Sequence, residues 1–570
     1  MRPALYYLII PAIAYLFVAV PLRLWKRRYT IRKIRGPPRP SFLLGHEHLL
    51  RSRQHIGDLE MEWYQQYGAV YRTGGCFGQD ILFVADPKAL QYIFHSSGYR
   101  FTKTRDSRFI TDAAMGQGIG TVDGSVHQRQ RKILGPAFAT SQLRLFLKVF
   151  QTSALKLIEK TNEDVGEGKE VNVLQWTRKL SLDIIGITSF RYKFDSINDG
   201  QTELMVALDN IGSGEAQMWP KKWELLFIAL WRILPEWVLF LLEWLPSRAA
   251  MPLKRFRDVA TKVSRLIFEK QLIEVANDPN PSEKDIVNVL VMSHLANDAK
   301  KKMSDPEIDS QLAAFILAGR NTTAGVLAWL LYDLSRHPEI QTKVREEIST
   351  AKSNAPRALT WDDYDAMVWL NAVIKEVLRY HPLVYGLLRE ASQDDVLPLA
   401  EPIITSDGQS CSEIPISKGQ VIFASVYTYN RLPLVWGHDA AEWNPRRFLE
   451  DREMKQESLG AYANLMTFSG GIRGCLGWRF AVMEMQSVVT ELLSNFEFSI
   501  PKGAPELQHG PVDSTALIPI VLGKADEGPQ VPLLVTPLNK QNRHTIPPME
   551  AAYNPSTISA GLIPDNNTKS

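Results

Sequence analysis

The chain is short of cysteine: Cys76, Cys411 and Cys475 are the three thiols in 570 residues, far apart in sequence. That excludes a disulfide-stapled secreted scaffold and fits a reducing compartment. It also lacks charge of one sign, because 65 Lys and Arg stand against 62 Asp and Glu, a net +3. A general affinity for nucleic acid is excluded with it, so any basic function must be local. No repeat of roughly 20 to 50 residues is evident, which excludes a solenoid. What is present is a 45% hydrophobic, 22% charged composition, enough apolar surface for a large core.

The first charge-free run, Ala4 to Leu22, matches the ~20 apolar residues that cross a bilayer. Arg23, Lys26, Arg27, Arg28, Arg32, Lys33 and Arg35 follow it before the first acid, Glu47. Positive charge stays on the cytosolic side, so the reading is a single-pass anchor with a cytosolic body. A cleaved signal peptide competes, but its basic side should precede the apolar run. Gly36-Pro37-Pro38-Arg39-Pro40 reads as a stiff extended connector. The organisation expected is an anchor at 1–22, a basic, proline-rich hinge at 23–45, a body at 46–538 and a disordered Asn, Pro, Ser and Thr tail at 539–570. The body is helical in pattern, with strand-like pieces at Ala69 to Tyr71 and Ile81 to Val84. Trp219 to Pro246 is crowded with apolar residues. It reads either as two buried helices joined at Pro235 or as a surface that dips into the headgroup region.

From Phe468 the chain runs Phe-Ser-Gly-Gly-Ile-Arg-Gly-Cys-Leu-Gly into a helix-like segment, Trp478 to Asn495. Glycines allow positive φ and close backbone approach to a flat ligand, and amides at the next helix start favour a thiolate. Further upstream, Ser304-Asp305-Pro306-Glu307 opens a capping box, and an apolar pattern continues to about Arg336 with Pro338 beyond. Some 30 residues of helix would be about 45 Å long. At its centre lies Ala318-Gly319-Arg320-Asn321-Thr322-Thr323. Gly319 is a poor helix former, and Thr322 can return its hydroxyl to the carbonyl of Ala318, which predicts a local bend. In a helical segment near Met367 to Tyr380, Glu376 and Arg379 sit three apart on one face.

These segments resemble the cytochrome P-450 superfamily, in microsomal, fungal-type form. Its haem signature Phe-x-x-Gly-x-Arg-x-Cys-x-Gly is met by Phe468, Gly471, Arg473, Cys475 and Gly477. The resemblance implies a mainly α fold, a helical triangular prism with small β-sheets, and a haem b cofactor with Cys475 as the axial iron ligand. Arg473 would pair with a haem propionate, as would His127 and Arg131, four apart on one helix, and Arg389. Glu376, Arg379 and Arg447 would form a buried structural triad. The family's Pro-Glu-Arg-Phe box reads Pro445-Arg446-Arg447-Phe448, so Arg446 replaces the usual acid. Gly319, Asn321 and Thr322 fall on the oxygen-activation motif, where Thr322 matches and Asn321 replaces an acid. An amide cannot titrate near neutrality, so protons must come through Thr322, water or another group.

The function implied is a monooxygenase that hydroxylates or otherwise oxidises an apolar small molecule with O2. Electrons would come from NADPH through a membrane-bound cytochrome P-450 reductase, at the endoplasmic reticulum membrane. Arg129 and Lys132 could belong to a basic face docking that donor. Arg105 to Gly118, the face around Phe315, Val384 to Leu388 and Ser514 to Leu517 would line the cavity. Phe109, Ile110, Phe315, Val384, Leu387 and Leu517 make it apolar. Gly477-Trp478-Arg479-Phe480 looks like fungal microsomal enzymes, which suggests terpenoid secondary metabolism. A fatty-acid, sterol or xenobiotic hydroxylase is the alternative reading. A reductase-independent haem isomerase or dehydratase is a further one, favoured by Asn321.

Overall fold

The computed structural model describes residues 31–52, 55–164, 168–198, 200, 202–212, 222–234, 239, 250–277, 285–450, 459–510, 517, 519–538 and 558–559. The expected anchor, most of the tail, Ser514 to Ala516 and most of Pro235 to Pro246 lie outside them. The fold is mainly helical with small sheets. In chain order the elements used below are strands β1 (Val70–Gly74), β2 (Asp80–Val84) and β3 (Phe101–Thr102), then helices α1 (Arg105–Met115), α2 (Gly124–Leu134), α3 (Thr140–Asp164), α4 (Val173–Phe190), α5 (Glu203–Gly212), α6 (Lys222–Ile233), α7 (Ala250–Asn277), α8 (Ile286–Leu295), α9 (Asp305–Arg336) and α10 (Val368–Tyr380). Strands β4 (Gly386–Ala391) and β5 (Val421–Ser425) and helix α11 (Trp478–Asn495) complete the set.

Helix α9 organises the core. Ser304 and Glu307 close a reciprocal capping box, Pro306 sits in the first turn, and the helix stops at His337 where Pro338 begins the next one. Both features follow from orphan amides at a helix start and from proline's missing N–H. Leu312, Ile316, Leu317, Leu327, Trp329 and Leu330 bury nearly their whole surface, so the helix is enclosed by the core on most of its sides. It packs on α4, while α11 packs on α3. Among the described residues α9 is the one helix long and apolar enough to cross a membrane, but 78% of its apolar window is buried in the core.

The five-stranded sheet runs β1-β2-β5-β4-β3. β1 and β2 are antiparallel with Val70 opposite Val84, β2 and β5 are parallel, and β4 is antiparallel to β5 with Leu387 opposite Ala424. The proline-rich segment carries no helix or strand and is fastened to the body. The Arg72 amide donates to Arg35 O at 2.9 Å, and Arg39 pairs with Asp80. A side chain on Gly36 would collide with the Arg72 carbonyl. With Ile31 and Ile34 in the core, the folded body already includes residues from Ile31 onward, upstream of the boundary expected at residue 46.

Candidate functional site

Cys475 hangs from the loop before α11. Its amide donates to Phe468 O at 2.8 Å, which closes the loop on itself. Gly471 adopts φ +62°, and a Cβ there would lie 1.8 Å from Phe94 O. Glycine is therefore required here because backbone packs on backbone. Just upstream, Ala463, Asn464 and Ser469 all hold positive φ, strain of the kind that persists where surroundings over-determine a loop. Asn464 is fixed because its Oδ1 accepts from the Leu459 amide at 2.7 Å and from Tyr429 at 3.1 Å.

The Cys475 side chain is open although the residue lies deep in the molecule, so it faces an internal cavity. Burial raises its pKa, opposed by a hydrogen bond from the Gly477 amide and by the charge of Arg131. The centre of α9 is open as well: Ala318 is exposed, and Phe315, Gly319, Asn321 and Thr322 are half-buried, in a helix otherwise inside the core. Thr322 Oγ1 donates to Ala318 O at 2.7 Å, as expected. Gly319 has a packing reason of its own, since a Cβ there would lie 2.8 Å from Ile185 of α4.

Around the cysteine loop the structure gathers cations. Arg131 of α2 donates to Gly474 O at 2.8 Å. Arg473 pairs with Asp123, the residue that caps α2, and donates to Val122 O at 3.3 Å. Arg389 of β4 is 4% exposed, with the Leu388 carbonyl and the Phe94 ring beside it. Burial lowers its pKa to about 10. Lys103 donates to Gly120 O; burial, Arg389, Arg473 and Arg108 bring it down to about 7. His127 accepts from or donates to the Tyr99 hydroxyl at 2.7 Å, and burial with Arg131 and Lys103 lowers it to about 4. Sequence reasoning missed Lys103, Tyr99 and Asp123, which sit on loops and acquire meaning only through contacts the fold makes, from Tyr99 with His127 to Asp123 with Arg473, 350 residues on.

Glu376, Arg379 and Arg447 meet behind this loop. Arg379 Nε and Nη2 donate to Glu376 at 2.8 and 2.7 Å, and Arg447 Nε reaches both carboxylate oxygens at 3.1 and 3.2 Å. A second acid, Asp439, accepts from Arg447 Nη1 at 2.9 Å, so two buried cations face two anions. Arg446 is exposed. Arg379 also donates to Asn430 O at 2.7 Å, and Asn430 holds the Met466 amide and the Thr467 hydroxyl. The network thus grips the segment that leads into Cys475.

The apolar candidates divide. Phe109 of α1 stacks on Trp231 of α6 at 3.7 Å, and Phe315 lies 5.6 Å from Phe138. Ile110, Val384 and Leu387 are half-buried, whereas Leu517 is fully buried, its amide bonded to Leu383 O at 2.6 Å.

Residues 35–520 match the family model described as Cytochrome P-450. The chain belongs to the cytochrome P-450 family. Cytochrome P-450 monooxygenase 205 of Postia placenta is 30% identical over 523 residues, covering 89% of this chain and 93% of that one. Cytochrome P-450 monooxygenase 91 of the same fungus is 33% identical over 482 residues, 82% and 88% of the two chains. Cytochrome P-450 monooxygenase claQ of Ampulloclitocybe clavipes is 30% identical over 521 residues, 89% and 94%.

The cofactor of a cytochrome P-450 is haem b, and the residues present fit it. One soft donor, Cys475, opens on the cavity, while Lys103, Arg131, Arg389 and Arg473 surround it against a single acid, Asp123, among the described residues. Buried cations short of counter-charge suit a group carrying two carboxylates.

Proposed function

We propose that this cytochrome P-450 is a membrane-anchored fungal monooxygenase that inserts one atom of O2 into an apolar small molecule, with a terpenoid as the substrate class. The observation that carries this reading is the cluster of Lys103, Arg131, Arg389 and Arg473 around the open thiol of Cys475. Haem b, when bound, supplies an iron at which O2 is reduced and split. Cys475 would bind that iron through its sulfur; the Gly477 amide and Arg131 favour its thiolate against the cost of burial. Arg131, Arg389, Arg473 and Lys103 would hold the carboxylates of that group. With Tyr99 donating to His127 Nδ1, the neutral ring keeps its Nε2 proton as a further donor. Thr322 fixes its own proton on Ala318 O, which leaves the oxygen lone pairs to accept from water. Phe109, Phe315, Val384 and Leu387 offer an apolar wall that keeps bulk water out.

Electrons come from an NADPH-dependent flavoprotein reductase. The groove between α2 and α8 supports a docking site: about 1140 Å³, floored by Val126, Ile133 and Met292 and rimmed by Lys132, Lys300 and Lys301. The charge-free run at Ala4 to Leu22 and the basic residues after it support the endoplasmic reticulum anchor. Reconstitution with reductase and NADPH tests the reading: substrate-dependent loss of NADPH and O2, with a product one oxygen heavier, is expected. Turnover of a substrate without NADPH would instead support an isomerase or dehydratase, the reading Asn321 favours. Retention of the chain in membranes after alkaline carbonate washing tests the anchor.

A further inference from the structure

Arg320 precedes Asn321 in α9 and is 4% exposed. Its Nη2 donates to Asp209 Oδ1 of α5 at 2.5 Å, and its Nη1 donates to Asn321 Oδ1 at 3.4 Å. One guanidinium therefore joins a carboxylate on one helix to a carboxamide on another. The two ends differ in kind. The Asp209 side chain is 54% exposed, whereas Asn321 is half-buried on the open centre of α9 beside Thr322. With its oxygen turned to Arg320, Asn321 has two amide N–H groups left as donors. A guanidinium keeps its protons and an amide does not ionise, whereas a carboxylate can take up a proton and release it. The acid that α9 lacks at position 321 is thus present across the helix–helix gap, fastened to the same site.

We propose that Asp209 is the carboxylate that passes protons toward Thr322, and that Arg320 is the positioning residue that holds Asn321 for it. Asp209 takes a proton from bulk water and gives it to water ordered by the Asn321 amide and the Thr322 hydroxyl, so each transfer restores the carboxylate. This rests on the monooxygenase reading, in which O2, two electrons and two protons give one water and one inserted oxygen atom. Without added substrate the balance is simple. Two electrons and two protons take O2 to hydrogen peroxide, whereas four of each take it to two waters, and each NADPH supplies two electrons. Both branches take one proton per electron, so the ratio reads where protons arrive: without delivery beside Thr322 the O–O bond is not split and peroxide is released.

The test measures peroxide formed per NADPH consumed by the full-length haem protein with reductase in air-saturated buffer, no substrate added. Asp209→Asn is expected to raise that ratio about twofold or more, with a larger solvent deuterium effect on the water-forming branch. Adding Asn321→Asp to Asp209→Asn restores the wild-type ratio, because the carboxylate is then on α9 itself. Thermal unfolding provides a readout independent of turnover: Asp209→Asn and Arg320→Met combine non-additively, as partners do. An unchanged ratio in Asp209→Asn, failure of Asn321→Asp to restore it, or additive unfolding shifts each overturn the proposal. Wild-type protein that consumes no NADPH overturns the monooxygenase reading instead, and the relay falls with it.

Discussion

Glu484 of α11 is buried with Ser181 as its hydrogen-bond donor, at 2.6 Å. Burial raises its pKa to about 8, only partly offset by the serine. A carboxyl kept neutral in the fold but ionised in the unfolded chain costs stability as pH rises. The unfolded group releases its proton above about 4.5 while the folded one retains it until about 8. Glu484→Gln keeps the shape and removes the proton. It should match wild type near pH 4.5 and gain on it up to pH 8, with a slope approaching ~1.4 kcal/mol per pH unit; parallel urea-unfolding curves across that range would refute the assignment. The cysteines make a second contrast. Cys475→Ser should abolish the red-shifted, thiolate-type absorption of the ferrous carbonyl form. Cys411→Ala and Cys76→Ala should retain it, since Cys411 is bonded to its own strand and burial pushes the Cys76 thiol up to about 12.

At the scale of elements, two ion networks fasten parts of the chain that have no covalent reason to meet. The Glu376–Arg379–Arg447–Asp439 group ties α10 to the segment before Cys475. Removing one partner strands a buried charge, so Glu376→Ala should cost ~3–5 kcal/mol and lower haem retention; a variant of native stability with full haem would contradict this. The second network holds α6. Arg232 lies 2.7 Å from Glu47 and 2.9 Å from Asp106, and its Nη1 donates to Gln79. Burial would lower the arginine's pKa, but the two carboxylates outweigh it and raise it. Outside this network α6 relies on a small satellite core of Trp231, Leu234, Leu239 and Phe109. Arg232→Met should therefore collapse amide-exchange protection across Lys222–Ile233 while the exchange of α9 stays unchanged.

For the whole molecule, net charge says little and its distribution says more. Lys132, Lys300 and Lys301 stand around an apolar groove with Asp298 as the acid in its lining. Reversing Lys132 and Lys300 to Glu should reduce reductase-driven NADPH consumption about tenfold at low salt. The two proteins should converge as ionic strength rises and the Debye length shrinks. Equal rates at every salt concentration would place the donor elsewhere.

The sequence alone determined what is local or periodic. The limits of α9 came from its capping box and Pro338, those of α11 from glycine followed by an apolar stripe, and the thiol from the glycine-rich loop around it. Glu376 and Arg379, one turn apart, were legible for the same reason. Tertiary structure decided what depends on charges meeting across the chain. That Lys103 and Arg389 share a cavity wall, that Asp123 answers Arg473, that Arg232 pins α6, and that Asp209 faces Arg320 follow from packing around α9. Electrostatic energy depends on distance and burial in space, and neither is written in residue spacing. Asn321 shows the division best: the resemblance to the family's motif implied an acid where the sequence has an amide, and only the fold revealed the carboxylate of Asp209 on the helix beside it.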